Sequence, residues 1–385
     1  MEYKKTTLGE ISIGKGQYGI GASAVEYSPD LYTYLRITDI NDDGTLNILD
    51  LKSVDDPKAR EYLLSPNDIV FARTGNSTGR NYFYDGSDGE FVYAGFLIKF
   101  SLDPSKVNPR FIKYYCLSDE YTGWVQGYST GSTRGNINAQ TYAGMEILLP
   151  PREQQDNLVK ILDDLEAKRK TNSAINRNLA EQVKGIFKEW FIDYGKFDGV
   201  MPDTWKELTL EDVSILSAGG DKPKNVSNVL TDEWQIPIFS NGISDEGLYG
   251  YTDHAKIFDE SVTVSARGTI GYVCLRQEPY VPIVRLVSLI PKNEFVTAKY
   301  LYLWLESIHI MGTGTTQQQL TVPDFKKTRI IVPNKEIVTQ FTETVIPLFD
   351  ELLKNKKQSV KLAELRNSLL PKLLSGELDV SEFAI

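Results

Sequence analysis

The sequence repeats three short segments in the same order, and this repeat limits the folds that are open to the chain. Between the first match and the last, the offset of the second copy only shrinks. That behaviour indicates one duplicated module with deletions in its second copy. The matched segments are residues 8–13 with 210–215 at an offset of 202, 68–75 with 261–268 at an offset of 194 that places Arg73 on Arg267, and 147–150 with 330–333 at an offset of 183.

A duplicated module predicts a pseudo-twofold protein, and duplex DNA is the leading candidate for a twofold partner. The net charge of −10 argues mildly against DNA, because contacts to phosphate need positive charge. Net charge describes the whole surface, however, and a binding groove needs only its own basic lining. DNA therefore remains the leading candidate.

Composition is ordinary for a soluble globular protein, with 41% hydrophobic and 24% charged residues in 385. No apolar run approaches the roughly 18 residues that a membrane span requires. The first residues lack the apolar core of a signal peptide. Cys116 and Cys274 stand in unrelated contexts. We expect both to serve as small buried apolar residues in a reducing cytoplasm.

Two strand-rich domains are expected, at residues 1–150 and 196–333. In the first, alternation at 34–37, an apolar run at 68–72 and a dense apolar stretch at 91–100 predict strands. Short helices are expected at 109–118 and, in the second copy, at 297–307.

Long helices are expected at residues 152–193 and 334–374, each about 60 Å long at ~1.5 Å per residue. Asn172 and Asn355 coincide at an offset of 183, which predicts either a buried pair that sets register or a hydrated mid-helix position. Pro347 should kink the second helix or split off its first turns. The apolar residues spaced three and four apart are Leu158, Ile161, Leu162, Leu165, Ile175, Leu179, Val183, Ile186 and Trp190, then Ile337, Phe341, Val345, Leu348, Leu352, Leu362, Leu369 and Leu373.

The expected fold is α+β, with two strand-rich domains and two long antiparallel coiled-coil helices in a pseudo-twofold, quasi-circular arrangement. Antiparallel packing is the simplest way to close a unit of domain and helix that occurs twice, and it returns residues 374–385 toward the N-terminus. The expected divisions are domain 1 at residues 1–150, helix 1 at 151–195, domain 2 at 196–333, and helix 2 with its tail at 334–385.

The motifs of common enzymes are missing from the sequence. His254 and His309 each stand alone, and neither has the spacing of a metal site. Residues 14–19 match the string GxGxxG, but more loop residues and Pro29 follow instead of a helix. A flexible glycine-rich turn is the simpler interpretation, while Lys15 and Tyr18 beside a phosphate backbone remain an alternative. We expect no catalytic residue and no metal ligand.

Polar loops rich in Arg, Thr, Asn and Gln recur in both copies, and such side chains suit contacts to phosphates and base edges. Arg73 and Arg267 have an alternative role, in which buried hydrogen bonds hold the fold. Residues that differ between the copies, such as Arg134 against Gln317, are better candidates for reading different bases. The predicted DNA-binding residues are Lys15, Tyr18, Arg73, Thr74, Asn76, Ser77, Arg80, Ser132, Thr133, Arg134, Asn136, Asn138, Arg267, Thr269, Thr315, Thr316, Gln317, Gln318 and Gln319.

Over nearly its full length the chain resembles the specificity subunits of type I restriction–modification systems. The resemblance rests on the order domain, helix, domain, helix and on four segments: residues 147–155, 190–194, 201–206 and 370–378. One departure is the shorter Pro333-Asn334-Lys335-Glu336 in the second copy, where the first has Pro-Pro-x-Glu-Gln.

The resemblance implies a non-catalytic subunit whose two domains each read one half of a bipartite DNA site. It also implies that the helices fix the spacer and dock two methylation subunits. Those subunits would carry S-adenosylmethionine, so this chain would bind no cofactor, and motor-nuclease subunits would complete the restriction enzyme. The alternatives are a stand-alone pseudo-dimeric DNA-binding regulator and a duplicated protein-binding scaffold.

Overall fold

The computed structural model describes residues 3–48, 50–129, 136–292, 294–312 and 319–378. The chain divides into two compact units. The first comprises Met1–Asn172 with Lys357–Ile385, and the second comprises Ser173–Lys356. Each unit therefore combines a strand-rich domain with a part of each long helix.

The described strands of the first unit form sheets of order β2-β9-β6-β7, β3-β5-β4-β8 and β1-β10. They are β1 (Lys4–Thr7), β2 (Ser12–Tyr18), β3 (Ala24–Glu26), β4 (Tyr32–Leu35), β5 (Lys52–Val54), β6 (Asp68–Ala72), β7 (Asn81–Tyr84), β8 (Phe91–Tyr93), β9 (Leu97–Leu102) and β10 (Glu146–Leu149). The apolar stretch at 91–100 is two strands, because β8 pairs with β4 and β9 pairs with β6, in different sheets.

The helices of the first unit are α1 (Pro109–Tyr115), α2 (Asp119–Ser129), α3 (Ala139–Ala143), the first part of α4 (Arg152–Phe191) and the last part of α8 (Lys335–Ser375). The expected helix at 109–118 is confirmed at its start and ends three residues early. Asn108 caps it by accepting a hydrogen bond from the Arg110 amide, and Pro109 occupies the first turn, where no amide donor is needed.

In the second unit the described strands form sheets of order β12-β18-β15-β16, β14-β13-β17 and β11-β19. The strands are β11 (Lys206–Thr209), β12 (Ser214–Ala218), β13 (Ile236–Phe239), β14 (Leu248–Thr252), β15 (Ser261–Ser265), β16 (Val273–Arg276), β17 (Val281–Pro282), β18 (Leu286–Pro291) and β19 (Arg329–Val332). The helices are the last part of α4, α5 (Leu210–Val213), α6 (Ala298–Ser307), α7 (Val322–Phe325) and the first part of α8 (Lys335–Ser375). The helix expected at 297–307 is confirmed as α6, with Thr297 as its cap.

Both long helices contribute side chains to the core of each domain. In the first unit, Leu158 and Leu162 of α4 and Leu370 and Leu373 of α8 belong to the buried core. Burial of this kind contributes about 1.5–3 kcal/mol per large apolar side chain. The helices are therefore held by the domains and do not depend on helix propensity alone.

In the second unit an aromatic cluster joins the helices to the domain. Phe191 of α4 packs edge-on against Phe341 of α8 and Tyr300 of α6, with ring centroids 4.9 Å apart in both pairs. Three-residue and four-residue spacing did not predict Phe191. It also placed Ile175 in the apolar stripe, whereas Ile175 is 40% exposed.

The two long helices pack antiparallel within each unit, as expected. In the first unit, Arg366 forms an ion pair with Glu166 at 2.8 Å, and Asn172 donates a hydrogen bond to Gln358 at 2.9 Å. Residue numbers therefore fall along α8 in the direction in which they rise along α4. The second unit shows the same direction, because Asn176 and Phe187 of α4 contact Asn355 and Phe341 of α8 respectively.

Asn172 and Asn355 are both buried, so the prediction of a buried pair of equivalent asparagines is confirmed. Asn172 donates to the Ser359 hydroxyl at 3.3 Å, and Asn355 donates to the Asn176 amide oxygen at 3.0 Å. At the offset of 183, Asn176 corresponds to Ser359, so the same contact is formed once in each unit. Two polar contacts in an apolar seam favour a single register.

The predicted split at Pro347 does not occur, because α8 continues from Lys335 to Ser375. Pro347 lies on the exposed side of the helix, where water can satisfy the carbonyl that loses its donor. Its neighbours Val345 and Phe349 are buried in the core of the second unit. Packing of these two side chains outweighs the local cost of the proline.

Residues 14–18 form part of β2, and Gly19 follows its end, so this segment is not the flexible turn that the glycines suggested. The register between β2 and β9 shifts between Ile13 and Gln17, so the strand bulges there. A Cβ at Gly16 would lie 2.6 Å from the Phe100 ring. A Cβ at Gly19 would lie 2.3 Å from the carbonyl oxygens of Tyr93 and Ala94. The glycines therefore allow close packing.

Both cysteines are buried and unpaired, as expected. Burial raises the pKa of the Cys116 and Cys274 thiols, so both stay protonated near neutral pH. Among the described residues, no helix has the length and apolar character needed to cross a membrane.

We predict that Asn355→Ala destabilises the chain by about 1–3 kcal/mol, because the partly buried side-chain oxygen of Asn176 loses this donor. Urea denaturation followed by circular dichroism measures the change. Asn178→Ala, on the exposed face of the same helix pair, is the matched control and should cost less than ~0.5 kcal/mol. Equal stability of the two variants would contradict a role for the buried asparagines in holding the helices.

Candidate nucleic-acid interface

The sheet β2-β9-β6-β7 of the first domain and the sheet β12-β18-β15-β16 of the second share both strand order and register. In the first, Ala72 at the end of β6 lies opposite Leu97 of β9. In the second, Ser265 at the end of β15 lies opposite Leu286 of β18. The residue that follows β6 is Arg73, so its structural equivalent is Ala266.

Backbone hydrogen bonds establish the same equivalence. The Arg73 amide donates to the Phe96 carbonyl at 3.0 Å, and the Ala266 amide donates to the Arg285 carbonyl at 2.8 Å. The expected correspondence of Arg73 with Arg267 is therefore wrong by one residue. The error is consequential, because successive side chains along an extended chain point to opposite sides.

A third segment joins this edge of the sheet in each unit. The Ile137 amide donates to the Arg73 carbonyl at 2.9 Å, and the Leu320 amide donates to the Ala266 carbonyl at 2.8 Å. We call these regions the first and second edge clusters. The first consists of Tyr18, Arg73, Thr74, Phe96 and residues 136–139, and the second consists of Ala218, Ala266, Arg267, Arg285, Gln319 and Leu320.

Arg73 stands at the centre of the first edge cluster. Its guanidinium lies 5.1 Å from the centre of the Tyr18 ring, a cation–π contact of about 0.5–1 kcal/mol. Its Nη2 donates to the Asn136 side-chain oxygen over a long 3.4 Å. No described residue accepts a hydrogen bond from its buried Nε. Buried hydrogen bonds from the guanidinium to described residues therefore do not explain this arginine.

The other predicted residues of the first edge cluster occupy fixed positions. Thr74 pairs with Asn136 in an isolated β-bridge. Asn138 caps α3 by accepting a hydrogen bond from the Thr141 amide at 2.9 Å. The Ala139 amide donates to the Tyr18 hydroxyl at 3.2 Å. The structure thus brings Tyr18, Arg73, Thr74, Asn136 and Asn138 together, on three segments far apart in sequence.

Residues 76–80 are divided between the surface and internal contacts. Asn76 is exposed, whereas Ser77 is only 8% exposed. Arg80 forms an ion pair with Asp42 at 2.6 Å and donates to the Ile40 carbonyl at 3.2 Å. Ser77 and Arg80 therefore make contacts within the domain that shape the loop, and direct DNA contact by these two residues stays a prediction.

Lys15 lies in the bulged part of β2, exposed and directly after Gly14, whose φ is +75°. It is therefore separated along the strand from Tyr18, although both belong to β2. Its ammonium group is available to an anionic partner.

In the second unit, Asn241 fixes the loop that follows β15. Its side-chain amide donates to the Arg267 carbonyl at 2.7 Å, and its own carbonyl accepts from the Thr269 hydroxyl at 2.7 Å. The Thr269 hydroxyl thus forms its hydrogen bond within the domain, and the backbone of Arg267 is held in place by Asn241. Gln319 is exposed beside Leu320.

Seven predicted DNA-binding residues lie outside the described residues. They are Ser132, Thr133, Arg134, Thr315, Thr316, Gln317 and Gln318.

The sequence patterns missed Phe96 and Arg285, which occupy equivalent positions in the turns that precede β9 and β18. Phe96 is 59% exposed, and Arg285 is exposed with a φ of +72°. Extending the repeat through Leu97 and Leu286 would have aligned these residues, but the short apolar strands match many others by chance.

Among the described residues, no group of three or more His, Cys, Asp or Glu side chains is placed to hold a metal ion. His254 is exposed beside Asp253, and His309 lines a small cavity of about 110 Å³. Neither histidine belongs to an edge cluster.

A family model described as type I restriction modification DNA specificity domain matches residues 2–181 and 202–362. The chain is 22% identical to the HindI specificity subunit of Haemophilus influenzae, covering 98% of this chain and 100% of that protein. It is 25% identical to the MjaIX specificity subunit of Methanocaldococcus jannaschii, covering 71% of this chain and 70% of that protein.

Among solved structures, the fold matches the crystal structure of the S subunit of the type I restriction–modification system from M. genitalium. The TM-score is 0.56 at 16% identity, with 97% of this chain and 96% of that chain covered. Because the family model matches both halves of the sequence, the assignment does not depend on this structural likeness. The chain belongs to the family of type I restriction–modification DNA specificity subunits, and it is itself a non-catalytic part of such an enzyme.

Proposed function

We propose that each domain reads one half of an asymmetric bipartite DNA site through its edge cluster. The observation that carries the proposal is the pair of sheets with common order and register that present different side chains. Arg73 of the first domain occupies the position that Ala266 occupies in the second, and Asn136 corresponds to Gln319. Equal frameworks with unequal polar groups suit the reading of two different half-sites.

The proposed contacts in the first domain are Lys15, Tyr18, Arg73, Thr74, Asn76, Asn136 and Asn138. Those in the second are Arg267 and Gln319. Two observations support this choice: these residues lie at strand ends and loops held by a rigid sheet, and the Arg73 guanidinium donates one long hydrogen bond of 3.4 Å to a described residue. Ser77, Arg80 and Thr269 position loops. The seven residues outside the described ranges remain proposed contacts on sequence grounds.

The long helices are proposed to set the unread spacer and to dock two methylation subunits. Each is a single helix that runs through residues of both units, α4 over 40 residues and α8 over 41. Exposed apolar side chains along them suit a helical partner: Ile175 on α4, and Ile346, Val360 and Leu365 on α8. The division at residues 150, 195 and 333 then separates recognition from assembly.

In this proposal S-adenosylmethionine binds to the methylation subunits, motor-nuclease subunits complete the restriction enzyme, and the complex acts in the cytoplasm. This chain contributes DNA recognition and subunit docking. A stand-alone regulator and a protein-binding scaffold are the alternatives, and membership of the specificity-subunit family favours neither.

We expect the chain with its methylation subunits to bind its site tightly and with strong salt dependence, because phosphate contacts release counterions. Fluorescence anisotropy at 50 and 200 mM salt measures this, with the chain alone as the comparison. Equally specific binding by the chain alone would indicate a regulator, and no salt-dependent binding in any assembly would indicate a scaffold.

Longer helices should lengthen the unread spacer. Seven helical residues inserted between Ala174 and Ile175, and seven between Lys356 and Lys357, add about 10 Å to each helix and keep the heptad phase. Sequencing of methylated DNA should then show a spacer longer by about three base pairs, at ~3.4 Å per pair. Seven residues inserted between Leu230 and Thr231, in an exposed segment, should leave the spacer unchanged. An unchanged gap in the double insertion would refute the spacer role.

A further inference from the structure

Arg285 occupies a backbone conformation that is unusual for arginine. Its φ of +72° lies in the left-handed region, which favours glycine and asparagine because a Cβ crowds the backbone there. Residues held in this way by their surroundings cluster at functional sites. A glycine would make the same turn without strain, so the arginine side chain needs a separate explanation.

Contacts within the domain do not supply that explanation. The side chain of Arg285 is exposed, and no described residue accepts a hydrogen bond from its guanidinium or forms an ion pair with it. Only its carbonyl is used, as the acceptor for the Ala266 amide. The backbone of Arg285 is therefore anchored at the sheet edge while its charge is left to solvent.

Comparison of the two edge clusters shows where that charge falls. In the first domain, the cation follows β6 directly as Arg73, and the adjacent turn carries the apolar Phe96. In the second, Ala266 replaces Arg73, and the adjacent turn carries Arg285. The two positions lie one backbone hydrogen bond apart in each domain, at 3.0 and 2.8 Å. The cation and its uncharged neighbour are thus exchanged between the domains.

We propose that Arg285 is a DNA-contact residue of the second domain, donating guanidinium hydrogen bonds to acceptors of the half-site that this domain reads. The inference rests on the proposed function and adds a residue to it. Guanidinium groups suit this task because their planar donors match both phosphate oxygens and the acceptor edge of guanine.

The test uses the assembled methyltransferase with three variants of this chain. Arg285→Gly removes the charge and relieves the strained φ, so the fold is retained. Phe96→Gly changes the equivalent turn of the first domain. Arg329→Gln removes an exposed arginine on β19 whose surface ion pair with Glu207 spans 3.5 Å. For each we would measure thermal stability, DNA affinity against salt, and the sequence of the methylated sites.

Arg285→Gly should weaken binding by roughly 10- to 100-fold, and it should lower the salt dependence or relax one base of the second half-site. Its thermal midpoint should equal or exceed that of the wild type. Phe96→Gly should affect only the first half-site, and Arg329→Gln should behave as the wild type.

Wild-type affinity and methylation in Arg285→Gly would overturn the inference while leaving the proposed function intact. A fall in thermal midpoint that accounts for the lost binding would also overturn it, because the arginine would then be structural. Failure of the wild-type assembly to bind DNA in a salt-dependent manner would instead remove the proposed function, and the inference with it.

Discussion

The packing of two long helices into the cores of both domains is the constraint on which the rest of the structure depends. Leucines of α4 and α8 complete the core of the first unit, and aromatic residues of the same helices complete the core of the second. A change in helix register would expose these side chains and leave buried asparagines unpaired. The contacts Asn172–Ser359 and Asn355–Asn176 therefore support one register in both units.

Repetition of this framework leaves the edge clusters free to differ. Backbone hydrogen bonds join the same three segments in each domain, so the position of a side chain is set by the sheet and not by its neighbours in sequence. Arg73 with Phe96 in one domain and Ala266 with Arg285 in the other illustrate the consequence. The proposed reading of two half-sites of different sequence depends on this separation of framework and contact residues.

The helices, the antiparallel pairing and the buried asparagines were predictable, because apolar spacing and the repeat report directly on packing. The continuity of α8 through Pro347 was not, since it depends on burial of Val345 and Phe349 against the domain. The equivalence of Arg73 with Ala266 was also missed. Matching identical amino acids favoured Arg267, and only the register of the strands distinguishes adjacent residues. Phe96 and Arg285 lie in turns whose neighbours are paired through distant strands, so no local pattern marks them.

The central claim is that each domain reads its own half of the DNA site. Replacing residues 1–150 with the corresponding domain of another specificity subunit, followed by single-molecule sequencing of methylated DNA, tests it most directly. The account predicts that one half of the methylated sequence changes while the other half and the spacer stay the same. Changes in both halves would contradict the account.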